Sequence, residues 1–197
     1  MRSRRCDTTV IETERLILRP FMKRDAADVL EYLRKPPRDC FCLFRLRSIW
    51  DARREMKRRA HNTEYYFAVV LKEKNKVIGE MEAFRNYKMD DETNLQVCLF
   101  TICWMLNEPF RGKGYAYEAA HAFFDYLFHE KGAERIQIET EDINYPCQRL
   151  CERLGMRKTG MIMGKRFFNN NPDGSPHYDN IIQYDISMGE WNKKFTE

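Results

Sequence analysis

Apolar and polar positions alternate along this chain with two periods, and the switches between them mark out the elements. Ile11 to Pro20 reads as a strand, with Leu16 and Leu18 set against Ile17 and Arg19. Asp25 is placed to cap a helix running to Lys35, with Asp28 completing a capping box and Pro36-Pro37 ending it. A second helix fits Ser48 to His61: Ile49, Ala52, Met56 and Ala60 fall on one face and the basic residues on the other. Tyr65 to Leu71, Val77 to Phe84 and Leu95 to Leu106 read as strands, with Lys74-Asn75-Lys76 a turn and Asn86 to Asn94 a polar connection. Gly114 to Lys131 then has helical spacing, burying Ala116, Ala119, Ala120, Phe123, Phe124 and Leu127, with Gly132 at the C′ position. Ile136 and Ile138 alternate with Gln137, Glu139 and Glu141 in a strand from Arg135 to Glu141. Asn144 caps a short helix that carries Pro146 in its first turn and closes at Gly155. Met156–Phe168 and His177–Met188 flank the Asn169–Gly174 turn as a hairpin. The order is mixed α/β, with helices crossing between strands of one sheet.

At 197 residues and without internal repeats, the chain reads as one domain over residues 11–190, with 1–10 and 191–197 as terminal extensions. Hydrophobic residues at 43% and charged ones at 32% suit a globular core, and no apolar run approaches the roughly 20 residues that span a bilayer. Met1-Arg2-Ser3-Arg4-Arg5 is basic, but polar Asp7, Thr8, Thr9 and Glu12 follow where a signal peptide would turn apolar, so a cytoplasmic protein is expected. The seven cysteines, an odd number without a CxxC pair, read as reduced thiols. Cys147 and Cys151, a turn apart, would make a metal site only together with Cys40 and Cys42; that set lacks the paired spacing of zinc sites, so no metal is expected.

Positive charge is concentrated rather than spread. Arg45, Arg47, Arg53, Arg54, Lys57, Arg58 and Arg59 are opposed locally only by Asp51 and Glu55, a larger excess than the +4 of the whole chain. A solvated helix face and a nucleic-acid surface are the two uses for such a run; no reading motif accompanies it, so nucleic acid is not an expected partner.

The sharpest chemical signal is Arg111-Gly112-Lys113-Gly114-Tyr115-Ala116, a glycine turn between a strand and a helix. Such a turn offers backbone N–H groups and the positive end of a helix dipole to an anion. Neither nucleotide pattern fits: Lys113 is followed by Gly114 instead of Ser or Thr, and Tyr117 stands where the dinucleotide fingerprint needs its third glycine. The pattern that fits is Arg-x-x-Gly-x-Ala, preceded by Trp104-Met105-Leu106-Asn107-Glu108-Pro109-Phe110 and followed by Tyr117-Glu118-Ala119. It resembles the acetyl-CoA signature of the GNAT family of N-acetyltransferases. Asn144, Cys147, Arg149 and Glu152-Arg153-Leu154-Gly155-Met156 resemble that family's next motif, and Glu14-Arg15-Leu16-Ile17-Leu18-Arg19-Pro20 the first strand of its ribosomal-protein alanine acetyltransferase branch.

The resemblance implies a mostly antiparallel sheet of about seven strands, opened in a V between the fourth and fifth and flanked by about four helices. It implies acetyl-CoA as co-substrate. The pyrophosphate would rest on the amides of Arg111, Gly112, Lys113, Gly114, Tyr115 and Ala116, and the pantetheine arm would run along Trp104, Met105 and Leu106. Asn144 would bond the pantetheine amides, with Cys147 and Arg149 beside the cofactor, and an N–H near Met105 or Leu106 would polarise the acetyl carbonyl. Cys147 stands where this branch commonly has Ser, so it is either a thiol donor to the leaving thiolate or a packed side chain; Cys151 replaces a Tyr acid of the wider family. No carboxylate lies between Leu95 and Leu106, which leaves Glu139, and behind it Glu141, Asp179 and Glu80, as bases acting through water or as ordinary paired carboxylates. His121, His129 and His177 are read as structural, and proximity to a neutral amine could supply the rate with no base. In this fold the segment Asp25 to His61, with Phe41, Phe44, Trp50 and many arginines, walls the acceptor site, which favours an amine near negative charge. The expected acceptor is a protein or peptide N-terminus or a small-molecule amine, the expected state a monomer or homodimer away from membranes. The other class the motifs allow is an acyl-CoA sensor that has lost turnover.

Overall fold

Eight strands and five α-helices are present among the described residues of the computed structural model, which are 9–36, 44–89 and 96–195, with side chains described except at 88, 89 and 166–170. They fall into two compact units. The first takes its described residues from 9–36, 44–82 and 104–122, the second from 83–89, 96–103 and 123–195.

In the first unit the expected opening strand is broken in two, β1 (Ile11–Glu12) and β2 (Leu16–Pro20). The cause is local: Thr13 Oγ1 accepts the Leu16 N–H at 2.9 Å, a side-chain-closed turn that competes with the ladder. β2 pairs antiparallel with β3 (Tyr66–Leu71), buried at every position, and β3 with β4 (Lys76–Met89). Asn75, at φ 45°, supplies the left-handed residue of the β3–β4 turn. β4 runs on as strand to Met89, past the expected end at Phe84 and into the segment expected as a connection, whose residues 90–95 lie outside the described ones.

Two helices of this unit follow their pattern only in part. α1 (Ala26–Leu33) is not capped by Asp25. A 3-10 turn, Lys23–Asp25, precedes it, and the Asp25 carboxylate accepts the Met22 N–H at 2.7 Å and grips Arg19 at 2.7 and 2.8 Å. Asp28, expected in a capping box, instead accepts from Lys76 Nζ and the Val77 N–H. α2 (Ile49–Arg59) starts at Ser48, whose hydroxyl accepts the Asp51 N–H at 3.1 Å. Its buried face is Ala52, Met56 and Arg59; Ala60 is exposed and an arginine takes the place expected of it. A basic residue read as solvated is thus one of the most deeply buried side chains of the unit, at 1% exposure.

In the second unit β5 (Gln96–Leu106) pairs parallel with β6 (Arg135–Glu141), but only through Leu99–Thr101 with Arg135–Gln137. That short pairing between two longer strands is the V expected between the fourth and fifth strands. β6 pairs along its whole length, antiparallel, with β8 (Pro176–Ser187), and β8 with β7 (Arg157–Asn170), which completes the hairpin. The strand order is β1-β2-β3-β4 in the first unit and β4-β5-β6-β8-β7 in the second, with β5/β6 the parallel pair among those described. α3 (Tyr115–Asp125) gives way to a π-helical turn, Tyr126–Glu130, closed by Lys131 N–H to Tyr126 C=O, and Gly132 follows at φ 68°. α4 (Tyr145–Arg153) leads into the hairpin. The pattern missed α5 (Met188–Phe195), whose buried Trp191 donates from Nε1 to Asp125 at 2.6 Å and packs on Phe124 and Phe128. Met188, Trp191 and Phe195 fall on one helical face, with the Trp191 and Phe195 rings 4.3 Å apart, but eight residues give a shorter window than a helical period is read from. No helix among the described residues is long and apolar enough to cross a membrane.

Candidate functional site

The glycine turn is built as its sequence demands. After β5 a 3-10 turn, Glu108–Phe110, buries Phe110 and turns the chain into Arg111. Gly112 and Gly114 lie at φ 73° and 84°, where a Cβ is strained, and α3 opens immediately after them. The first intrahelical bond runs from Glu118 N–H to Gly114 C=O at 3.0 Å, so the N–H groups ahead of it have no acceptor within the helix. Arg111 Nε donates to the Leu106 carbonyl at 3.1 Å and Lys113 Nζ to the Pro109 carbonyl at 2.9 Å, which fold both cations along the rim of the turn.

A residue that sequence reasoning assigned no role here holds this turn in place. Arg15, in the break between β1 and β2, donates to the Lys113 carbonyl at 3.1 Å, lies over the Tyr115 ring at 4.7 Å and pairs with Glu118 at 2.6 Å. Thr13 Oγ1 and the Arg15 N–H bond the same carboxylate at 2.6 and 2.8 Å. Burial pushes Glu118 up, but those bonds and the Arg15 charge outweigh it and hold the carboxyl below its ordinary range. An acid in the first turn of α3 also complements the helix dipole. The signal was present in the Glu14–Pro20 motif, but the partner lies 103 residues away.

The edge at Trp104–Leu106 is fixed against β4. The Asn107 N–H donates to the Ile78 carbonyl at 2.8 Å, and a Cβ on Gly79 would collide with the Met105 carbonyl oxygen. Met105 is buried, and Trp104 and Leu106 are half-buried.

In the second unit, Asn144 caps α4 as expected: its Oδ1 accepts the Cys147 N–H at 3.4 Å while its Nδ2 donates to Glu141 at 3.4 Å. Both bonds are long, near the limit for a hydrogen bond. Cys147 is half-buried and Cys151, one turn on, is fully buried; a hydrogen bond between the two thiols and the burial push the Cys151 thiol up, so it stays protonated. Arg149 is exposed. Glu139 accepts from Lys165 at 2.6 Å and Gln183 at 3.0 Å, Glu141 is buried, and Asp179 lies 3.5 Å from His177. His121 packs beside the Tyr117 ring, and His129 is exposed. Among the described residues no cluster of three or more His, Cys, Asp or Glu is placed to hold a metal; Cys40 and Cys42 lie outside them, as does Phe41.

The remaining candidate, Glu80, is the centre of a buried network in the first unit. Its carboxylate accepts from Tyr32 Oη at 2.7 Å, Tyr66 Oη at 2.9 Å and Arg59 Nη1 at 2.5 Å. Arg59 also donates to Glu55 at 2.7 Å and lies over the rings of Phe21 and Tyr66, at 4.9 and 4.8 Å, which meet edge to face. Burial works against the guanidinium charge, and Glu80 more than offsets it, raising Arg59 above its ordinary value. Both phenols are pushed up by burial and by Glu80 and so stay donors. On the solvent side of α2, Trp50 is 69% exposed with Arg53 over its ring, and Arg54 and Lys57 are exposed beside them.

Comparison with known proteins points to one family of enzymes. The family model described as the acetyltransferase (GNAT) domain matches residues 15–157. The uncharacterized N-acetyltransferase YnaD of Bacillus subtilis is 28% identical over an alignment of 188 residues that covers 92% of this chain and 99% of that protein. A GNAT-family acetyltransferase from Bacillus anthracis superposes with a TM-score of 0.75 at 26% identity, covering 92% of this chain and 100% of that one. RimL, a ribosomal L7/L12 α-N-protein acetyltransferase crystallised with coenzyme A, has a TM-score of 0.69 at 14% identity over 91% of this chain and 98% of its own, a likeness of fold.

Proposed function

Because this chain belongs to the GNAT family of acetyltransferases, we propose that it carries the acetyl group of acetyl-CoA directly to a primary amine that sits near negative charge, at a protein or peptide N-terminus or on a small molecule. The observation that carries the donor is the turn from Arg111 to Ala116, with two glycines at positive φ opening α3 and the cations Arg111 and Lys113 on its rim. That arrangement suits the pyrophosphate of CoA: amides approach without a Cβ in the way, and the helix dipole favours the anion. The pantetheine arm lies along Trp104, Met105 and Leu106. The N–H of Met105 or Leu106 polarises the thioester carbonyl.

The acceptor preference rests on α2, whose exposed Trp50, Arg53, Arg54 and Lys57 form a cationic, aromatic face. RimL's activity is a reason to include peptide N-termini among the acceptors tried, and no more than that. The test is release of CoA thiol from acetyl-CoA with four amines: an alanine-initiated peptide carrying acidic residues, its neutral counterpart, spermidine and benzylamine. Turnover is expected, fastest with the acidic peptide. Binding of acetyl-CoA without thiol release on any of the four would instead make the protein an acyl-CoA sensor.

A further inference from the structure

β4 carries two glutamates on one face, Glu80 and Glu82, two residues apart and therefore side by side along the strand. Their surroundings differ completely. Glu80 is buried and saturated by Tyr32, Tyr66 and Arg59. Glu82 is half-buried and takes no hydrogen bond or ion pair from any described residue. Arg59, the cation whose charge acts most on it, is committed to Glu80 and Glu55, and its remaining nitrogen, Nη2, is buried without a partner. The protein thus spends one carboxylate on structure and keeps its neighbour unpaired, a costly arrangement for a residue with no task.

The pair also lies beside the edge proposed for the thioester. Gly79 abuts Met105 and Leu106, and Glu82 stands three residues farther along β4, about 10 Å of strand from that contact. We propose that Glu82 is the catalytic base of the transfer, taking the proton of the acceptor ammonium at its carboxylate. The inference rests on the acetyl-transfer reading above.

The step balances as follows in atoms and charge. The ammonium gives one proton to Glu82; the freed nitrogen lone pair forms the C–N bond to the thioester carbonyl carbon as the C–S bond breaks. The sulfur keeps that electron pair and takes the second nitrogen proton, ending as the CoA thiol, and Glu82 passes its proton to solvent. Burial, and then the charge of Glu80, push Glu82 up to about 7, opposed by Arg59 and Arg58 and assisted by Glu55 across α2. Tyr66 on β3 and Tyr32 on α1, the other titratable groups in the cluster, stay protonated. A base poised there is half ionised at neutral pH and strong enough to accept a proton in the transition state.

The test is Glu82→Gln on the full chain, with kcat and kcat/KM measured from pH 6 to 9.5 on the best of the four amines, beside acetyl-CoA affinity and a thermal melt. Expected are a kcat lower by about 10²-fold or more at pH 7, loss of the inflection near 7, a gap that narrows toward pH 9.5 as free amine accumulates, and unchanged acetyl-CoA affinity. Glu82→Asp should recover part of the rate and keep an inflection. A Glu82→Gln enzyme within about threefold of wild type, or one slowed equally at every pH, overturns the assignment while leaving acetyl transfer intact. Absence of turnover by the wild-type protein on all four amines overturns the reading beneath it, and this assignment with it.

Discussion

The glycine turn before α3 and the acidic cluster on β4 both belong to the first unit, and they handle charge in opposite ways. The turn is made of backbone, and its cations Arg111 and Lys113 lie on an exposed rim. The cluster is made of side chains, drawn from α1, α2, β3 and β4, with its cation Arg59 fully enclosed. Backbone recruits an anion through dipoles that need no desolvated charge, whereas enclosed side chains must each find a partner or shift their proton equilibrium. The turn is suited to holding a ligand. The cluster is suited to setting the ionisation of a neighbour.

The largest effect should come from breaking the enclosed side of that comparison. Arg59→Leu leaves Glu80 buried beside two phenols without its counter-charge and should lower stability by about 3–5 kcal/mol in urea denaturation. A loss below about 1 kcal/mol would show that the network is not what holds α2 to the sheet. On the turn, Gly114→Val places a β-branched residue at φ 84° with Arg15 Nη2 3.2 Å from the new Cβ. The strain alone is about 1–2 kcal/mol, so acetyl-CoA affinity by calorimetry should fall at least about tenfold; an unchanged Kd would remove the pyrophosphate from this turn.

Smaller effects sharpen the contrast. A carboxyl raised to about 7 in the folded chain keeps its proton between its unfolded value and 7 while the unfolded chain has lost its own. Its contribution to stability is therefore complete below the unfolded value and is lost as pH rises through 7. After discounting for partial exposure, Glu82→Gln should flatten that decline by on the order of 1 kcal/mol between pH 5 and 8. Parallel stability curves for the two proteins would mean that Glu82 titrates normally. Least of all, Arg53→Glu with Arg54→Glu should raise KM for the acidic peptide by roughly 3- to 10-fold and leave KM for acetyl-CoA alone. Equal KM values for both substrates in mutant and wild type would reduce this face of α2 to solvated charge.

How legible each region was follows from its construction. Arg111 to Ala116 could be read directly, because glycine spacing and a helical period are local and the turn is built from consecutive residues. The β5/β6 opening followed from the family the motifs resemble. Arg15 was visible as a letter but not as the clamp on Glu118, since nothing in a sequence pairs positions 103 residues apart. Asp25 and Asp28 had the right spacing for a capping box, yet Arg19 and Lys76 outbid the helix N-terminus for their carboxylates.

By itself, then, the sequence determined where most of the elements lie, that a glycine turn opens the long helix, and which family supplies the chemistry, all of them consequences of periodicity and contiguous motif. Only the tertiary structure decided which member of a run of arginines is enclosed and which of two adjacent glutamates is left unpaired. Residues two apart on a strand share a face and, in the sequence, an identity; what separates Glu80 from Glu82 is the set of donors that α1, α2 and β3 bring to one of them and withhold from the other.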